Sequence, residues 1–425
     1  MNEIIIKEFF KKVEKSYKRM SSLPYSIEKI FQSSDYPWPG DWEGRSLLSF
    51  ACLYQITGKK ISCMDSMIKK LSEHLNQGQY FGKEFNGTIL DEQQVAGNSW
   101  FLRGLLLYDK NFPQHNVKNI ADNLVKNFYL KSFNHFKNYP LQRDNSMKGK
   151  VSGEEYLIRD GWCLSTDSGC AFIALDGLSE YYKTSKNAQV KQMLEIMIDK
   201  FISIDFLKLK MQTHATLSAV RGIITFYEAT NNEKYLEYAK NIFDLYVKHG
   251  MTLTYQNFNW FNRQDTWTEP CAIVDSLIVT LKLYKYLNKN KYLKLARRIY
   301  FNGMTFSQRE NGGAGTDTCV TQKNKFLNIA TYEANFCCTM RFTEGLLYVK
   351  DSIYLFDWNI QKVIKDKNGR YFCGDILLGE IQNNMKLEKQ IVEFNIDAHK
   401  LIPVLSLLNI SKKIAMTIRQ KIVFK

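Results

Sequence analysis

A short motif recurs along the chain and constrains the fold more than any other feature of the sequence. In each copy, an apolar segment with helical periodicity ends in aromatic residues, and a short polar stretch separates it from the next helical segment. Four clear copies and one weaker copy occur, at residues 53–58, 181–185, 226–230 and 283–287 and at Leu107–Tyr108. Helical hairpins that cannot bury their apolar faces alone must stack on one another. The repeat therefore predicts a mainly α fold, as either a closed α/α toroid or an open solenoid.

Composition favours a folded chain that binds neither nucleic acid nor membrane. The 425 residues are 45% hydrophobic and carry a formal net charge of +15. Lysines in segments such as 282–294 alternate with apolar residues at helical spacing, which indicates solvated helix faces rather than a phosphate-binding patch. No apolar stretch approaches the ~20 residues that cross a bilayer. An odd count of nine cysteines, and an isoleucine run too short for a signal peptide, indicate a cytoplasmic protein with free thiols.

The hydrophobic periodicity of the sequence changes after about residue 355. Short alternating runs that read as strands, notably Lys389 to Ile396, replace the helical periodicity. We therefore expect a helical catalytic domain over residues 1–355, strands only near the end of the chain, and an incomplete β-rich appendage over residues 356–425. A homodimer is compatible with the sequence, which does not fix the oligomeric state.

Three segments between the helical pairs combine aromatic, acidic and amide side chains, at residues 37–45, 161–169 and 255–263. Aromatic faces suit the C–H surfaces of sugar rings, and polar groups suit their hydroxyls. Each tryptophan alone is more typical of a structural loop, but the three segments together predict the lining of a carbohydrate pocket. The residues we expect to bind substrate are Asp41, Trp42, Gln93, Trp100 and Trp260.

Two cysteine-containing clusters carry the candidate metal chemistry. Glu269 and Cys271 form a Glu-x-Cys motif, and Cys337 and Cys338 are adjacent. Zinc accepts thiolate and carboxylate ligands in a tetrahedron, and soft thiolates favour zinc over magnesium or calcium. The spacing alone leaves two readings open, a zinc site and unrelated buried cysteines, because the diagnostic Cys-x-x-Cys form is absent.

These motifs resemble those of glycoside hydrolase family 127, the β-L-arabinofuranosidases. The resemblance covers roughly residues 35 to 360 and includes the segment 268–273, the segment 300–303 and the later Cys337–Cys338 pair. It implies an (α/α)6 barrel, zinc ligands Glu269, Cys271, Cys337 and Cys338, and Cys337 as the nucleophile of a retaining mechanism. It also implies that His214, in the segment from Thr213 to Gly222, faces the sugar.

The sequence departs from this family at the general acid. The family places a glutamate about sixteen residues before the ligand glutamate, near Leu253 here, and no Asp or Glu occurs between His249 and Asp265. Another carboxyl group must therefore protonate the leaving oxygen. Glu43 and Glu92 are the preferred replacements because tryptophans stand near them, with the four aspartates Asp41, Asp91, Asp160 and Asp167 as further candidates.

Two other classes of function remain open at this stage. An epimerase, lyase or unsaturated-uronide hydrolase could share the toroid, although such enzymes use paired histidines or aspartates and only His214 lies in a motif-like context. A carbohydrate-binding toroid with a structural zinc is the non-enzymatic alternative. Lanthionine cyclases are also zinc toroids, but they use a Cys-His pair that this sequence lacks.

Overall fold

The computed structural model describes residues 2–31, 37–113, 117–141, 152–321 and 327–356, and the strand segments 363–365, 370–373 and 376–380. Helices dominate this part of the chain. Their bounds are α1 Asn2–Met20, α2 Ile27–Ile30, α3 Asp41–Thr57, α4 Met64–His74, α5 Glu92–Asn111, α6 Lys118–Leu124, α7 Ala174–Ser185, α8 Ala188–Ile202, α9 Thr213–Thr230, α10 Glu233–His249, α11 Pro270–Leu287, α12 Asn290–Arg298, α13 Thr305–Ser307 and α14 Cys338–Lys350.

Six of these helices form a closed inner ring. In chain order α3, α5, α7, α9, α11 and α14 each pack against the next, and α14 packs against α3. Helices α6, α8, α10 and α12 pack on the outside of α5, α7, α9 and α11, and α1 packs against α3 and α14. The predicted closed toroid is confirmed, and the open solenoid is excluded because the first and last ring helices are in contact.

Burial patterns explain which helices form each layer. Ring helix α11 buries every residue from Pro270 to Leu283, as expected for a helix surrounded by protein on all sides. The outer helix α10 instead buries one face, with residues spaced three or four apart, namely Tyr235, Leu236, Ala239, Ile242, Phe243 and Tyr246. The ring helices thus form the core, and the outer helices cover it with one apolar stripe each.

The repeated motif marks the carboxyl-terminal ends of ring helices. In α3, α7, α9 and α11, a tyrosine carbonyl accepts the N–H of a left-handed capping residue four positions later. The pairs are Tyr54–Gly58, Tyr182–Lys186, Tyr227–Asn231 and Tyr284–Asn288. The weaker copy, Leu107–Tyr108, ends α5, and the sixth ring helix carries Leu347–Tyr348 at the equivalent place. Sequence analysis missed this sixth copy.

Glycines allow neighbouring ring helices to approach closely. A Cβ at Gly44 of α3 would lie 2.1 Å from the backbone nitrogen of Phe101 in α5, and one at Gly222 of α9 would lie 2.4 Å from the carbonyl carbon of Leu175 in α7. Because backbone atoms cannot move aside cheaply, any larger residue at either position would force two ring helices apart.

Short strands occur at three places. A three-stranded sheet contains β1 Leu90–Asp91, β3 Trp162–Ser165 and β2 Glu155–Arg159, in that order, and β4 Thr316–Asp317 pairs with β5 Ile329–Thr331. The prediction of strands only near the end of the chain is therefore wrong, since these five strands lie in connections between ring helices. Strand β1 leads directly into α5, so the first sheet adjoins the amino-terminal end of the ring.

Beyond residue 356, the described residues form an antiparallel sheet of β6 Val363–Lys365, β7 Arg370–Cys373 and β8 Ile376–Glu380. The predicted strand from Lys389 to Ile396 lies outside the described residues, and the domain boundary at residues 355 and 356 stays a prediction. None of the described helices is both long and apolar enough to cross a membrane.

Candidate active site and metal centre

The motif residues meet at the amino-terminal ends of three ring helices. Glu269 is the N-cap of α11, with Pro270 at its first helical position, and Cys271 follows. Cys337 is the N-cap of α14 and Cys338 is its first residue, while His214 is the second residue of α9. Helix amino termini carry partial positive charge, which favours thiolate and carboxylate groups.

Three cysteines form what we call the cysteine cluster: Cys271, Cys337 and Cys338. The sulfur atoms of Cys337 and Cys338 are 3.4 Å apart, and those of Cys271 and Cys338 are 3.7 Å apart. All three sulfurs lie within 4.8 Å of one another, a spacing at which they could bind one metal ion. Cys271 and Cys338 are buried, whereas Cys337 is only partly buried. Sixty-seven residues separate Cys271 from Cys338 in sequence, so the ring closure brings them together.

A second group of donors shares Cys271. The Nδ1 atom of His214 lies 3.2 Å from Oε1 of Glu269, and one donor atom from each of His214, Glu269 and Cys271 falls within the same 4.8 Å limit. With its amide oriented by its neighbours, Asn259 donates to Oε2 of Glu269 at 2.7 Å. The backbone N–H of Glu269 donates to Oδ1 of Asn257 at 2.7 Å. The structure thus places three of the four predicted zinc ligands in one group and the fourth, Glu269, with His214 in a second group that shares Cys271.

Burial favours the neutral thiol in the cysteine cluster. Desolvation, followed by the hydrogen bond with Cys337 at Cys271 and with Cys271 at Cys338, raises the pKa of both thiols well above the usual value. The guanidinium of Arg45 opposes this at Cys271, because its Nη1 atom lies 3.5 Å from the sulfur. A nearby cation therefore lowers the pKa of Cys271, although burial outweighs the effect of Arg45.

Asp41, the first residue of α3, and Trp100 of α5 are almost completely buried. Asp41 forms an ion pair with Arg45, whose Nε lies 2.8 Å from Oδ1, so it positions Arg45, and its role in substrate binding stays a prediction. The indole of Trp100 stacks on His214 with ring centroids 5.9 Å apart. Three guanidinium groups surround that indole, at 4.1, 4.5 and 5.0 Å from its ring, and belong to Arg45, Arg341 and Arg103. Trp100 thus packs against one face of the His214 ring.

Glu92 and Gln93 hold a loop rather than join the cysteines. Glu92 is fully buried, accepts the backbone N–H of Ser165 at 2.7 Å, and accepts the hydroxyl of Tyr139. Gln93 Nε2 donates to the hydroxyl of the same serine at 3.1 Å. Both residues therefore fix the chain just after β3.

The remaining predicted residues lie away from the cluster or are enclosed by protein. Glu43 follows Asp41 by two residues, which places it about 200° around α3 from the face that carries Asp41 and Arg45. Trp260 is fully buried against Trp267, with ring centroids 5.4 Å apart.

Trp42 is partly buried in the first turn of α3, and its indole packs against the main core of the protein. Leu253, at the position where the family carries its acid, is partly buried and offers no proton.

Sequence analysis missed a buried ionic network beneath the site. We call it the guanidinium–carboxylate network, and its members are Arg103, Arg221, Arg341, Asp176, Asp275 and Glu344. Arg221 pairs with Asp275 and with Glu344 at 2.5 Å each, and Asp275 also lies 3.5 Å from Nε2 of His214. Burial opposes ionisation of Asp275, but Arg341 and Arg221 overcome it and hold its pKa below the usual range.

Helical spacing gave a signal for this network. Asp275 follows Cys271 by four residues, Arg341 follows Cys338 by three and Arg221 follows His214 by seven. These intervals place each charge on the helix face of a site residue, one or two turns further into the ring. Charged residues inside otherwise apolar ring helices were therefore readable as a buried ionic layer.

Comparison with known proteins supports the fold and the family resemblance. The family profile described as β-L-arabinofuranosidase, GH127 catalytic domain, matches residues 174–351, which include His214 and the whole cysteine cluster. A search of curated proteins found no match.

Solved structures of similar fold include several sugar-active proteins. A cellobiose 2-epimerase from Bacillus thermoamylovorans aligns at a TM-score of 0.54 and 15% identity, covering 75% of this chain and 88% of its own. An unsaturated glucuronyl hydrolase specific for heparin aligns at 0.54 and 12% identity, covering 81% and 97%. A GH76 α-mannanase from Bacteroides thetaiotaomicron aligns at 0.52 and 11% identity, covering 83% and 99%. These likenesses confirm the toroid, and the profile match confirms that the chain resembles the β-L-arabinofuranosidases of glycoside hydrolase family 127.

Proposed function

We propose that this chain is a retaining glycoside hydrolase of the β-L-arabinofuranosidase type, with Cys337 as a zinc-held thiolate nucleophile. The observation that carries the proposal is the meeting of Cys271, Cys337 and Cys338 with Glu269 at the amino-terminal ends of α11 and α14. The family profile that covers these residues supports the same reading.

The donors present fit zinc. Three sulfurs and one carboxylate oxygen make a four-ligand set of the kind that zinc accepts, and thiolates disfavour magnesium and calcium. Glu269 is oriented by Asn257 and Asn259, as second-layer hydrogen bonds orient metal ligands in general. Zinc, when bound, would lower the pKa of the thiols and hold them as thiolates at neutral pH.

The three cysteines differ in accessibility, which separates their roles. Cys271 and Cys338 are buried and suit a purely structural ligand role. Cys337 is the more exposed of the three, so its sulfur is the one that can reach an anomeric carbon. Attack there forms a glycosyl thioether and expels the leaving alcohol, and water later cleaves the thioether with overall retention of configuration.

A carbohydrate is the substrate class that we propose, with plant-type furanosides first. The competing epimerase function needs a second catalytic group opposite His214, in the paired arrangement expected from the sequence. In the described part of the chain, His214 is held between Glu269 and Asp275, whereas His74 and His249 lie at the ends of outer helices. This arrangement favours glycoside hydrolysis. A sugar-binding toroid with a structural zinc is the non-enzymatic alternative.

Metal content and turnover test the proposal together. Protein purified under reducing conditions should contain about one zinc per chain, and Cys271→Ser should lose it. Cys337→Ser should lower hydrolysis of an aryl β-L-arabinofuranoside by about a thousandfold or more, since a serine hydroxyl is a far weaker nucleophile at pH 7. Cys52→Ser, which changes a buried thiol outside the cluster, is the matched control. Full activity of Cys337→Ser, or protein without zinc, would refute the proposal.

A further inference from the structure

Asp167 lies in a buried loop that is fixed against the end of the ring that carries the cysteine cluster. It follows β3 by two residues and is only 4% exposed. Its backbone N–H donates to the hydroxyl of Ser165 at 3.1 Å. The carbonyl of Ser168 accepts the backbone N–H of Gln212, the N-cap of α9. The loop is therefore bonded to Gln212, which precedes His214 by two residues in sequence, and His214 itself contacts Glu269.

Asp167 has no guanidinium partner among its described contacts, unlike the buried carboxylates Asp41 and Asp317. Its two carboxylate oxygens each accept from the hydroxyl of Ser152 at 3.0 Å. By contrast, Asp41 pairs with Arg45 and Asp317 pairs with Arg309, at 2.8 and 2.9 Å. Guanidinium partners keep a carboxylate ionised, whereas a buried carboxyl group with only neutral partners retains its proton.

The electrostatic environment of Asp167 agrees with this contrast. Burial, followed by the negative charge of Glu269, raises the pKa of Asp167 to about 8. A carboxyl group that remains protonated near neutral pH can donate a proton to a leaving group.

We propose that Asp167 is the general acid and base of this chain and supplies the proton that no residue near Leu253 can supply. This inference rests on the proposed glycosidase function. As the sulfur of Cys337 forms its bond to the anomeric carbon, the bond from that carbon to the leaving oxygen breaks and the oxygen takes the proton of Asp167. The Asp167 carboxylate then takes a proton from water as the water oxygen bonds to the anomeric carbon and the carbon–sulfur bond breaks.

This assignment gives Glu92 and Gln93 a positioning role. Both bind Ser165, and Ser165 in turn binds the backbone of Asp167. Glu92→Gln should therefore lower the turnover rate, because it loosens the position of Asp167. The decrease should be smaller than that caused by Asp167→Asn.

Two electrophiles with different needs for a proton provide the test. When a thiolate opens the epoxide ring of glycidol, a proton donor speeds the reaction by protonating the alkoxide oxygen that forms. Displacement of iodide from iodoacetamide needs no proton. The measurement is the rate of labelling of Cys337 by each reagent in zinc-loaded protein, followed by mass spectrometry of the Cys337 peptide. Asp167→Asn is the variant, and Asp160→Asn, in the exposed turn before β3, is the matched control.

We expect Asp167→Asn to lower the glycidol rate about a hundredfold, a typical contribution of general acid catalysis, and to leave the iodoacetamide rate unchanged. An unchanged ratio of the two rates would overturn the role of Asp167. An equal fall in both rates would also overturn it, because it would mean that the loop only shapes the site. If neither reagent labels Cys337 in the unmodified protein, the proposed function itself fails, and the inference fails with it.

Discussion

Two groups of buried polar side chains lie one below the other inside the ring, and they differ in how their charges are balanced. The guanidinium–carboxylate network contains three guanidinium groups and three carboxylates, and each of its members takes part in at least one ion pair. The cysteine cluster contains three thiols that contact mainly one another, with one guanidinium 3.5 Å from Cys271.

This difference agrees with the roles that we propose for the two groups, a structural layer and a reactive one. The network balances three guanidinium groups against three carboxylates within the chain, so its charges compensate one another without any ligand. The cluster lies where neutral thiols prevail unless a cation is added, which is the property expected of a metal-activated nucleophile. The two groups share α11 and α14, where Asp275 and Arg341 follow the cysteines by three or four residues, so the position along these two helices separates the two groups.

The largest expected effect on folding comes from breaking the network. Arg221→Met should lower the free energy of unfolding by about 3–5 kcal/mol, because it leaves Asp275 and Glu344 with uncompensated buried charge. Urea denaturation followed by circular dichroism would measure the change. A loss below about 1 kcal/mol would show that the network is not structural.

Removing the cation should affect the cluster and leave the network intact. At a free zinc concentration one hundred times the dissociation constant, binding adds about 2.7 kcal/mol to the free energy of unfolding. A strong chelator should therefore lower the thermal midpoint of the unmodified protein and leave that of Cys271→Ser almost unchanged. Equal responses from the two proteins would contradict a site built on Cys271.

The raised pKa of Asp167 predicts a dependence of stability on pH. Between the unfolded pKa near 3.9 and the folded value of about 8, the folded state holds a proton that the unfolded state has lost. Stability should therefore fall as pH rises from 5 to 8, by at most about 1.4 kcal/mol per pH unit. Asp167→Asn should remove this contribution, so the variant should gain stability relative to the unmodified protein across that range. A difference between the two proteins that does not change with pH would exclude a protonated Asp167.

The smallest effect is expected at an exposed ion pair that serves as the reference for the network. Lys240 and Asp244 lie 3.1 Å apart on the outer helix α10, and both side chains are well solvated. Lys240→Met should change the free energy of unfolding by no more than about 0.5 kcal/mol. A loss comparable to that of Arg221→Met would mean that burial does not distinguish the two pairs.

Sequence reasoning identified the fold and named candidate metal donors, but it did not find the supporting layer. The tyrosine-ended repeat located five of the six ring helices, because each copy marks the carboxyl-terminal end of a helix, with a left-handed cap in α3, α7, α9 and α11. The donors Glu269, Cys271, Cys337 and Cys338 were assigned through a family resemblance, since spacing alone left the site open.

The preferred acid candidates were chosen by nearness to tryptophans in the sequence, and that signal does not report direction. Glu43 lies on a different face of α3 from Arg45, and Glu92 accepts hydrogen bonds from Tyr139 and Ser165. Pairs such as Arg221 with Asp275 and Glu344 join different ring helices, and no local pattern encodes those contacts.

X-ray absorption at the zinc edge of protein purified under reducing conditions tests the central claim most directly. We expect one zinc per chain with three sulfur ligands at about 2.3 Å and one oxygen or nitrogen ligand at about 2.0–2.2 Å. Cys271→Ser should remove one sulfur or the whole metal. A zinc shell made only of oxygen and nitrogen, or a three-sulfur shell that persists in Cys271→Ser, would contradict the assignment of the cysteine cluster as the metal centre.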